Sequence, residues 1–345
     1  MRAAISSKRR QCEPAWAQIV YMTDTCLFAH YDPNDRLADH VLHYLNAIRR
    51  AGFAITVIST ARLGEAERGK LAAIGADLML RENVGLDFGS WAAGLASLRD
   101  ETGQLRLEGK LLLANDSVFG PLGDLTEALA KLSGLPGDVH GMVESREIAP
   151  HLQSWFLLFS PAAYRHPSFE RTFGQDFAAM PKSEIIWNGE IGLSTNLREA
   201  GLTCAALASD PPRGGVRRRI RSNPMQFLWR ALIERDGVPF LKIELLRDNP
   251  AEIASLADWP RIARARSPVL FSLIQRYLAD QPTRSSRSSP TPKRRAISRE
   301  AFVIRDDEFA RRGNWIAGWA NFLCWRLLYL AQPARRALFG SRTRA

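Results

Sequence analysis

Between residue 19 and about residue 208, short apolar runs alternate with segments in which apolar residues recur every three or four positions. The runs predict buried strands, and the recurring pattern predicts amphipathic helices. Strands that alternate with helices are typical of an α/β protein with a parallel sheet. The predicted strands are 25–30, 54–59, 78–81 and 110–114, and the predicted helices between them are 36–50, 65–74 and 88–98.

The alternation changes after Pro121, a residue that suits the first turn of a following helix. Two apolar runs, 139–143 and 155–159, are separated by a short loop rather than by a helix, which predicts an antiparallel addition. A helix at 188–201 and a short strand at 203–208 complete the pattern. We therefore expect an α/β fold with an open, mostly parallel sheet and flanking helices.

The formal net charge of +11 is unevenly distributed along the 345 residues. Residues 1–210 carry 20 basic and 25 acidic side chains, whereas residues 211–345 carry 27 and 11. A near-neutral head therefore precedes a strongly cationic tail. Basic proteins often bind nucleic acid, but the aromatic residues of this tail cluster in its last helix rather than among the arginines, which disfavours base stacking. We expect no nucleic-acid partner.

The domain organisation follows this division. Residues 1–18 are predicted to be an N-terminal extension and 19–250 the main domain. The tail contains a basic helical extension, and its terminal helix at 314–338 has only twelve consecutive uncharged residues, against about 20 needed to span a bilayer. That helix either lies on an anionic membrane surface or docks on the head. The predicted tail segments are a helical extension at 251–280, a disordered basic linker at 281–299 and an amphipathic region at 300–345.

The cysteines and the N-terminal residues indicate the cellular compartment in which the protein is expected. Cys12, Cys26, Cys204 and Cys324 are widely separated and show no spacing typical of a metal or redox site, which favours a reducing compartment. No apolar segment follows the basic N-terminal residues, which argues against a secretory signal peptide. We expect a cytoplasmic protein, peripheral at the inner face of the cell membrane.

The segment KLLLANDSVFGPL is a hydrophobic strand that ends in Asn115, Asp116 and Ser117. Open α/β sheets bind ligands where their strands end. A carboxylate flanked by an amide and a hydroxyl suits a hard divalent cation that also binds substrate phosphates. The alternative is that Asp116 or Ser117 only caps the following helix.

Two further segments place an acidic residue where a helix is predicted to begin. In RENVGLDFGSWAAGL, Gly85 and Gly89 bracket Asp87, so that the backbone can approach a phosphate or sugar closely, unless the glycines only serve a tight turn. In WNGEIGLSTNLREAGL, Glu190 lies in the predicted first turn. There it either acts as a general base or only interacts favourably with the helix dipole.

These segments together resemble known motifs. ENVGLDFGSWAAGL, LLLANDSVFGPL and GEIGLSTNLREAGL, in this order, resemble motifs of inverting nucleotide-sugar glycosyltransferases with the GT-A fold. DFGSW, NDSVFGPL, HLQSWFLLFS and VPFLKIELLRDNP more closely resemble the rhamnan synthesis protein F family of bacterial surface-polysaccharide assembly, over about residues 26–250. The resemblance implies a GT-A-like fold and a hexosyltransferase that transfers a sugar, L-rhamnose from dTDP-rhamnose, to a lipid-linked glycan acceptor.

The resemblance also implies roles for individual residues. Asp116 matches the carboxylate of the family's metal motif, so a divalent cation, Mg²⁺ or Mn²⁺, is the implied cofactor. Glu190 matches the Glu of the helix motif and is the implied catalytic base. The implied donor-binding residues are His30, Tyr31, Asp32, Asn83, Asp87 and Asn115.

The sequence departs from the family pattern at several positions. The usual D-x-D is reduced to AND at 114–116, so a single carboxylate must hold any metal, weakly or together with the donor pyrophosphate. Ile191 replaces the carboxylate that usually follows the Glu, and Ser59 and Thr60 stand where an acidic residue is usual. Lys242, within the family-like PFLK segment, is assigned no role. These losses favour a rival function, a non-catalytic nucleotide-sugar- or glycan-binding component of an assembly complex.

Candidate acceptor-binding residues precede and follow the second antiparallel strand. His151 and Gln153 can form hydrogen bonds with sugar hydroxyls, and Trp187 or Trp155 can stack on the apolar side of a pyranose unless the tryptophans belong to the core. The arginines at 213–219 either help a pyrophosphate to leave or form a solvated or membrane-facing run.

Overall fold

The computed structural model describes residues 24–147, 149–209, 223–249 and 253–281. The predicted N-terminal extension, the arginine run, nearly all of the basic linker and the terminal helix lie outside the described residues. In the part of the chain that is described, no helix is long and apolar enough to cross a membrane.

The described residues form a main sheet of eight strands and a separate two-stranded ribbon. Most strands of the main sheet coincide with apolar runs of the sequence, because strands covered on both faces are nearly uniformly apolar. The strands are β1 (Thr25–His30), β2 (Ala54–Ser59), β3 (Ala76–Leu80), β4 (Leu111–Asn115), β5 (Val118–Phe119), β6 (Val139–Ser145), β7 (His151–Leu152), β8 (Phe156–Phe159), β9 (Cys204–Ser209) and β10 (Leu241–Lys242).

The main sheet has the order β3-β2-β1-β4-β8-β6-β7, and β9 pairs with β6. Strands β1 to β4 are mutually parallel, and β8 runs antiparallel to both β4 and β6. Strand β9 is parallel to β6, and β7 is antiparallel to it. Strands β1 to β4, β6 and β9 therefore point in one direction and β7 and β8 in the other. This confirms the expected α/β fold with an open, mostly parallel sheet and an antiparallel addition.

Helices cover both faces of the sheet, as crossover connections between parallel strands require. Three additional turns are not α-helical: two 3₁₀ turns, Phe177–Ala179 and Ala254–Asp258, and a π-helical turn, Ile186–Ile191. The α-helices are α1 (Asp39–Arg50), α2 (Glu65–Ala73), α3 (Leu86–Ser97), α4 (Leu125–Ser133), α5 (Pro161–Tyr164), α6 (Pro167–Phe173), α7 (Lys182–Ile185), α8 (Gly192–Glu199), α9 (Pro224–Phe227), α10 (Trp229–Glu234), α11 (Ile243–Arg247), α12 (Trp259–Arg266) and α13 (Pro268–Asp280).

The core lies on both faces of the sheet because successive strand residues point to opposite sides. On β1, Leu27 packs in the cluster that contains Trp91 of α3, whereas Phe28 packs in the cluster that contains Tyr44 of α1. All four side chains are almost completely buried. The carboxyl end of β1 is thereby held rigidly between two layers of helices.

The last described helices pack against the head of the molecule. Ser267 caps α13 by accepting a hydrogen bond from the N–H of Leu270, and Leu270 and Ile274 are fully buried in a cluster with Phe119 of β5. Arg276 lies 3.4 Å from Asp39 of α1. Helix α13 therefore supports the short ribbon that ends beside the candidate site.

Two expectations about this ribbon were wrong or incomplete. Pro121 does not begin the next helix; it follows Gly120 in a cis peptide bond, and α4 begins only at Leu125, where Asp124 accepts a hydrogen bond from the N–H of Thr126. Asp116 and Ser117 therefore do not cap that helix either. The ribbon of β5 and β10 was not predicted, because each strand has only two residues and they lie far apart in the sequence.

The helix that carries Glu190 also differs from the prediction. Helix α7, the π-helical turn and α8 follow one another without a break from Lys182 to Glu199, beginning just after Pro181. Glu190 lies in the middle of this rod rather than in its first turn. The favourable interaction with a helix N-terminus, which the sequence had left open for Glu190, therefore has no structural basis here.

Candidate functional site

The ends of three adjacent strands bring polar residues together at one edge of the sheet. In the ladder His30 of β1 lies opposite Ser59 of β2, and Asn115 of β4 lies opposite Ala29 of β1. His30 Nδ1 lies 2.9 Å from Ser59 Oγ. Burial lowers the pKa of His30 to about 4, although the charge of Asp32 opposes that change, so the imidazole is neutral at pH 7. His30 therefore orders the edge without adding positive charge.

Asp116 directly follows β4 and faces the end of β1. Its Oδ2 accepts a hydrogen bond of 2.8 Å from the backbone N–H of Tyr31. Burial raises the pKa of Asp116 to about 8; the Tyr31 N–H opposes this increase, and the negative charges of Asp87 and Asp32 add to it. The carboxylate thus occupies an environment in which positive charge, from a residue or a ligand, lowers its free energy.

Asn115 links the strand end to helix α3. Its Nδ2 donates a hydrogen bond of 2.7 Å to Oδ2 of Asp87, and its Oδ1 accepts from the N–H and Oγ of Ser117, at 3.1 and 2.6 Å. Burial raises the pKa of Asp87, whereas the Asn115 amide and the charge of Lys242 act in the opposite direction. Because its amide nitrogen bonds Asp87 and its amide oxygen bonds Ser117, Asn115 holds these two residues on either side of itself.

The turn before α3 requires the glycines that the sequence singled out. Gly85 has φ +74°, and a Cβ at Gly89 would lie 2.7 Å from the carbonyl oxygen of Val84. Leu86 also has a positive φ of 52°, which is uncommon for a residue with a side chain. The tight-turn interpretation of these glycines is therefore confirmed. The same turn places Asp87 in the first turn of α3, against Asn115.

The remaining predicted donor-binding residues lie around the end of β1 and the end of β3. Asp32 is 7% exposed and accepts hydrogen bonds from the N–H groups of Asn34 and Arg36, so it shapes the loop that follows β1. The Tyr31 side chain is 50% exposed directly beside Asp116. Asn83 is exposed in the turn between β3 and α3.

Lys242 reaches this edge from a distant part of the sequence. In the ribbon it lies opposite Val118, and the N–H of Ile243 donates to the carbonyl oxygen of Ser117 at 3.1 Å. Lys242 Nζ donates a hydrogen bond of 3.1 Å to Ser117 Oγ. Burial lowers the pKa of Lys242, while the negative charges of four carboxylates raise it. The four are those of Glu190, Asp87, Glu244 and Asp116.

Glu190 lies beside this cluster because of a close approach between two helices. A Cβ at Gly189 would lie 2.9 Å from the ring of Phe88, so only glycine lets the π-helical turn contact α3 at this point. Glu190 Oε1 accepts a hydrogen bond of 3.0 Å from the N–H of Ser154 and lies 4.0 Å from Nε2 of His151. The Glu190 side chain is 25% exposed, which leaves it accessible to a ligand.

The predicted acceptor-binding residues differ in their surroundings. Trp155 is 2% exposed and donates its indole N–H to Oε1 of Gln153, so it belongs to the core. Gln153 is 4% exposed, and its Nε2 donates to Asn223. His151 is also buried, with Nδ1 2.7 Å from the carbonyl oxygen of Ala149. Trp187 is partly exposed in the π-helical turn.

The structure thus brings Asp87, Asn115, Asp116 and Glu190 together and adds Lys242, to which the sequence gave no role. The described residues contain no group of three or more His, Cys, Asp or Glu side chains that could hold a metal ion. The positive charge of Lys242 acts on Asp87. In the sequence, Lys242 was marked only by its place in the family-like PFLK segment after an apolar run. Its pairing with Val118 in the ribbon shows that this segment lies beside Asp116.

An open α/β sheet with a cluster of carboxylates and a lysine at its carboxyl edge defines a class of proteins that bind ligands at strand ends. Within that class, the chain belongs to the rhamnan synthesis protein F family, whose model matches residues 55–265, more than half of the chain. The resemblance inferred from the sequence motifs is confirmed. Membership of this family supports a polysaccharide glycosyltransferase.

Curated relatives match only part of their own length. The chain is 30% identical over 195 residues to "Virulence protein VirA" of Vibrio anguillarum, a match that covers 49% of this chain and 62% of that protein. It is 23% identical over 188 residues to "Uncharacterized protein y4gN" of Sinorhizobium fredii, covering 53% and 48%. The chain therefore spans less than two thirds of the length of these relatives.

Similarities to solved structures are distant. The glycosyltransferase GlyE of Streptococcus pneumoniae gives a TM-score of 0.36 at 12% identity, covering 76% of this chain and 65% of that one. The mannosyltransferase PcManGT of Pyrobaculum calidifontis, solved in complex with GDP-Man and Mn²⁺, gives a TM-score of 0.38 at 13% identity, covering 93% and 88%.

Proposed function

We propose that this protein is a glycosyltransferase of bacterial surface-polysaccharide synthesis that transfers L-rhamnose from dTDP-rhamnose to a lipid-linked glycan. Membership of the rhamnan synthesis protein F family supports this class of reaction. The observation that carries the proposal is the placement at one sheet edge of Asp116, which accepts from the Tyr31 N–H, and of Lys242, which donates to Ser117, with Glu190 held nearby by the Ser154 N–H. Displacement at a sugar carbon needs a base for the acceptor and compensation of charge on the leaving group.

The donor is proposed to bind at the strand ends. His30, Tyr31 and Asp32 follow or end β1, where the exposed Tyr31 ring can contact the nucleoside. Asn115 holds Asp87 by a hydrogen bond, which fixes the turn beside the donor. Asn83, Asp87 and Asp116 complete the proposed donor-binding set. Since Asp116 is the single carboxylate of the AND segment, it would hold any Mg²⁺ or Mn²⁺ together with the donor diphosphate.

The proposed reaction is a single displacement with inversion. Glu190 accepts the proton of an acceptor hydroxyl, whose oxygen forms the new bond to the anomeric carbon of the donor sugar. The bond from that carbon to the diphosphate oxygen breaks, and its electron pair stays on the diphosphate. The Ser154 N–H orients Glu190 through Oε1, so the role of base matches its position and its 25% exposure.

The acceptor is proposed to bind beside the π-helical turn. Trp187 is partly exposed there and offers an aromatic face to a sugar ring. His151 lies 4.0 Å from Glu190 and orients that side of the pocket. Gln153 supports the pocket through its hydrogen bonds with Trp155 and Asn223.

The experiment that tests the reaction is a panel of nucleotide sugars. Purified protein is incubated with dTDP-rhamnose, UDP-glucose or GDP-mannose, with EDTA or with Mg²⁺ or Mn²⁺, and both the thermal shift and the released nucleoside diphosphate are measured. We expect stabilisation and turnover with dTDP-rhamnose only. Turnover with another donor would correct the sugar, and binding without any turnover or transfer would contradict the enzymatic proposal.

The cellular location is a separate proposal. It depends on the part of the basic tail at 281–345, nearly all of which lies outside the described residues. We place the enzyme in the cytoplasm at the anionic inner face of the membrane, because each basic residue near such a surface contributes about 1 kcal/mol. Deletion of residues 281–345 should abolish binding to anionic vesicles. Unchanged vesicle binding by the truncated protein would contradict this location.

A second candidate function is a non-catalytic nucleotide-sugar- or glycan-binding component of an assembly complex. The observation that favours it is the single Asp of the AND segment at 114–116, together with Ile191 in place of the carboxylate that usually follows the Glu. The measurement of released nucleoside diphosphate separates the two, since a binding component would be stabilised by the donor without cleaving it.

A further inference from the structure

Lys242 is a partly buried cation whose hydrogen-bonding capacity is largely unused. An ammonium has three donors. Nζ donates to the neutral Oγ of Ser117 at 3.1 Å and, among the described residues, forms no ion pair with a carboxylate. Burying a charge without close partners is unfavourable unless a ligand supplies them. A partly buried ammonium with unused donors is therefore suited to bind an anion.

The backbone holds Lys242 in this position. The ribbon pairs Leu241 with Phe119 and Lys242 with Val118, so the lysine lies next to the segment that directly follows Asp116. The ring of Phe240 packs against Gly120, where a Cβ would lie only 2.0 Å away. The segment preceding Lys242 is therefore fixed by packing on both sides of the ribbon, and the ammonium is preorganised rather than carried on a free loop.

The charges around Lys242 match the two sides of the proposed reaction. The carboxylates of Asp87 and Asp116 act on it from the strand-end side, and that of Glu190 acts on it from the helix side. Through its hydrogen bond to Ser117, which directly follows Asp116, the ammonium lies at the strand end where the donor is proposed to bind. Fixed positive charge aimed at developing negative charge is among the largest contributions to catalysis.

We propose that Lys242 binds the diphosphate of the donor directly and stabilises the leaving nucleoside diphosphate, supplying from within the chain the positive charge that the family motif otherwise assigns to a metal. This inference rests on the proposed function. As the bond between the anomeric carbon and the diphosphate oxygen breaks, the electron pair moves to the diphosphate, and Lys242 stays protonated and donates hydrogen bonds to it. A lysine is suited to this role as a compact cation for phosphate oxygens.

The test is the affinity for nucleoside diphosphates in the presence of EDTA. Binding of dTDP, UDP and GDP, and of the corresponding free nucleosides, is measured by calorimetry for the wild-type protein and for Lys242→Met, Lys242→Arg and Lys131→Met. Lys131→Met removes an exposed lysine of α4 and serves as the matched control. Thermal melting of each variant establishes that it is folded.

We expect the wild-type protein to bind one nucleoside diphosphate in EDTA and Lys242→Met to bind it about 10- to 150-fold more weakly, the range expected for a hydrogen bond to a charged group. Binding of the free nucleoside should not change, Lys242→Arg should retain part of the affinity, and Lys131→Met should match the wild type. Equal diphosphate binding by Lys242→Met, or wild-type binding that requires Mg²⁺ or Mn²⁺, would overturn the inference while leaving the proposed function intact. Failure of the wild-type protein to bind any nucleoside diphosphate, in EDTA or with Mg²⁺ or Mn²⁺, would reject both this inference and the proposed function.

Discussion

The site joins two groups of polar residues that the chain assembles in different ways. The strand-end group, His30, Asn115 and Asp116, lies on or directly after neighbouring parallel strands, so the ladder itself fixes its geometry. The loop–helix group, Ser154 and Glu190, joins the loop before β8 to the π-helical turn by a single hydrogen bond of 3.0 Å. The first group depends on sheet register, and the second depends on how closely one helix approaches another.

The two groups also differ in their electrostatic surroundings. Asp116 lies where burial and neighbouring carboxylates raise its pKa to about 8. Glu190 keeps 25% of its side chain exposed and contacts His151 at 4.0 Å. In the reaction we propose, this difference corresponds to a division of roles, in which the strand-end group responds to positive charge near the leaving group and the loop–helix group receives a proton from the acceptor.

The largest expected effect is on turnover in Glu190→Gln. The amide keeps the size of the side chain and an oxygen that can accept from the Ser154 N–H, but it cannot take a proton. The turnover number should fall by about 10²- to 10⁴-fold, the usual contribution of a general base. Donor affinity, measured by calorimetry with dTDP-rhamnose, should stay unchanged because the strand-end group is intact.

The matched control is Glu184→Gln, which changes an exposed glutamate earlier in the same helical rod. It should leave turnover and donor affinity unchanged. If Glu190→Gln kept wild-type turnover, Glu190 would not be the base. If it lost donor affinity instead, the two groups would not act separately.

The next effect concerns the strand-end group and is a change of stability with pH. The pKa of Asp116 in the folded protein, about 8, lies above its ordinary value of 3.8, so the folded state retains a proton that the unfolded state has released. The free energy of unfolding contributed by this group therefore falls as the pH rises from about 4 to about 8. Asp116→Asn removes this decline, and the penalty for a buried charge can reach several kcal/mol.

The melting temperature of Asp116→Asn relative to wild type should therefore increase between pH 5 and pH 8, the variant being the more stable at pH 8, while donor affinity falls. Because the two proteins share every other titrating group, the difference between their melting temperatures reports the titration of Asp116 alone. Asp124→Asn is the control, because it changes an exposed helix cap where asparagine is equally favoured. A melting-temperature difference that does not vary with pH would contradict the raised pKa.

The ribbon connects the two groups, and Gly120→Ala tests its packing. A Cβ at Gly120 would lie 2.0 Å from the ring of Phe240, so the ring and the following Lys242 must move. Overpacking of this kind lowers the free energy of unfolding by about 1–3 kcal/mol. Donor affinity should fall as well, because the displaced segment carries Lys242.

Chemical denaturation measures the stability change, with Gly69→Ala as the control. No atom lies within 4 Å of a Cβ at Gly69, which lies within α2, so alanine there should be stabilising by about 0.5–1 kcal/mol. A Gly120→Ala variant as stable as the wild type would show that the ribbon adapts, and the rigid placement of Lys242 would then be in doubt.

The sequence predicted the strand-end group well because local patterns specify it. An apolar run that stops at Asn115 and Asp116 marks a strand end, and parallel strands present their carboxyl ends at one edge. Glu190 was named from a motif, but its place in the middle of a helical rod was not predicted, because the π-helical turn depends on contact between Gly189 and Phe88.

Lys242 could not be assigned because its position depends on a two-residue pairing between segments far apart in the sequence. Such a short strand leaves no period in the hydrophobic pattern. The burial of Trp155 was left open and that of Gln153 was not predicted, since a loop residue is buried only by elements that fold over it. Local chemistry was thus predictable from the sequence, whereas contacts between distant segments were not.

The smallest predicted effect is that of Ser59→Ala. Ser59 lies at the end of β2, opposite His30 of the strand-end group. Ser59 Oγ lies 2.9 Å from His30 Nδ1 and accepts from the N–H of Ala61 at 3.1 Å, in a fully buried position. Its removal should lower the free energy of unfolding by about 1 kcal/mol for each hydrogen bond that is lost, the typical net contribution of such a bond. Turnover at saturating donor should remain at the wild-type level, because Glu190 and its partners are unaffected. Ser97→Ala, at an exposed position of α3, should change neither quantity, and a loss of turnover in Ser59→Ala comparable to that in Glu190→Gln would show that the two groups form one unit.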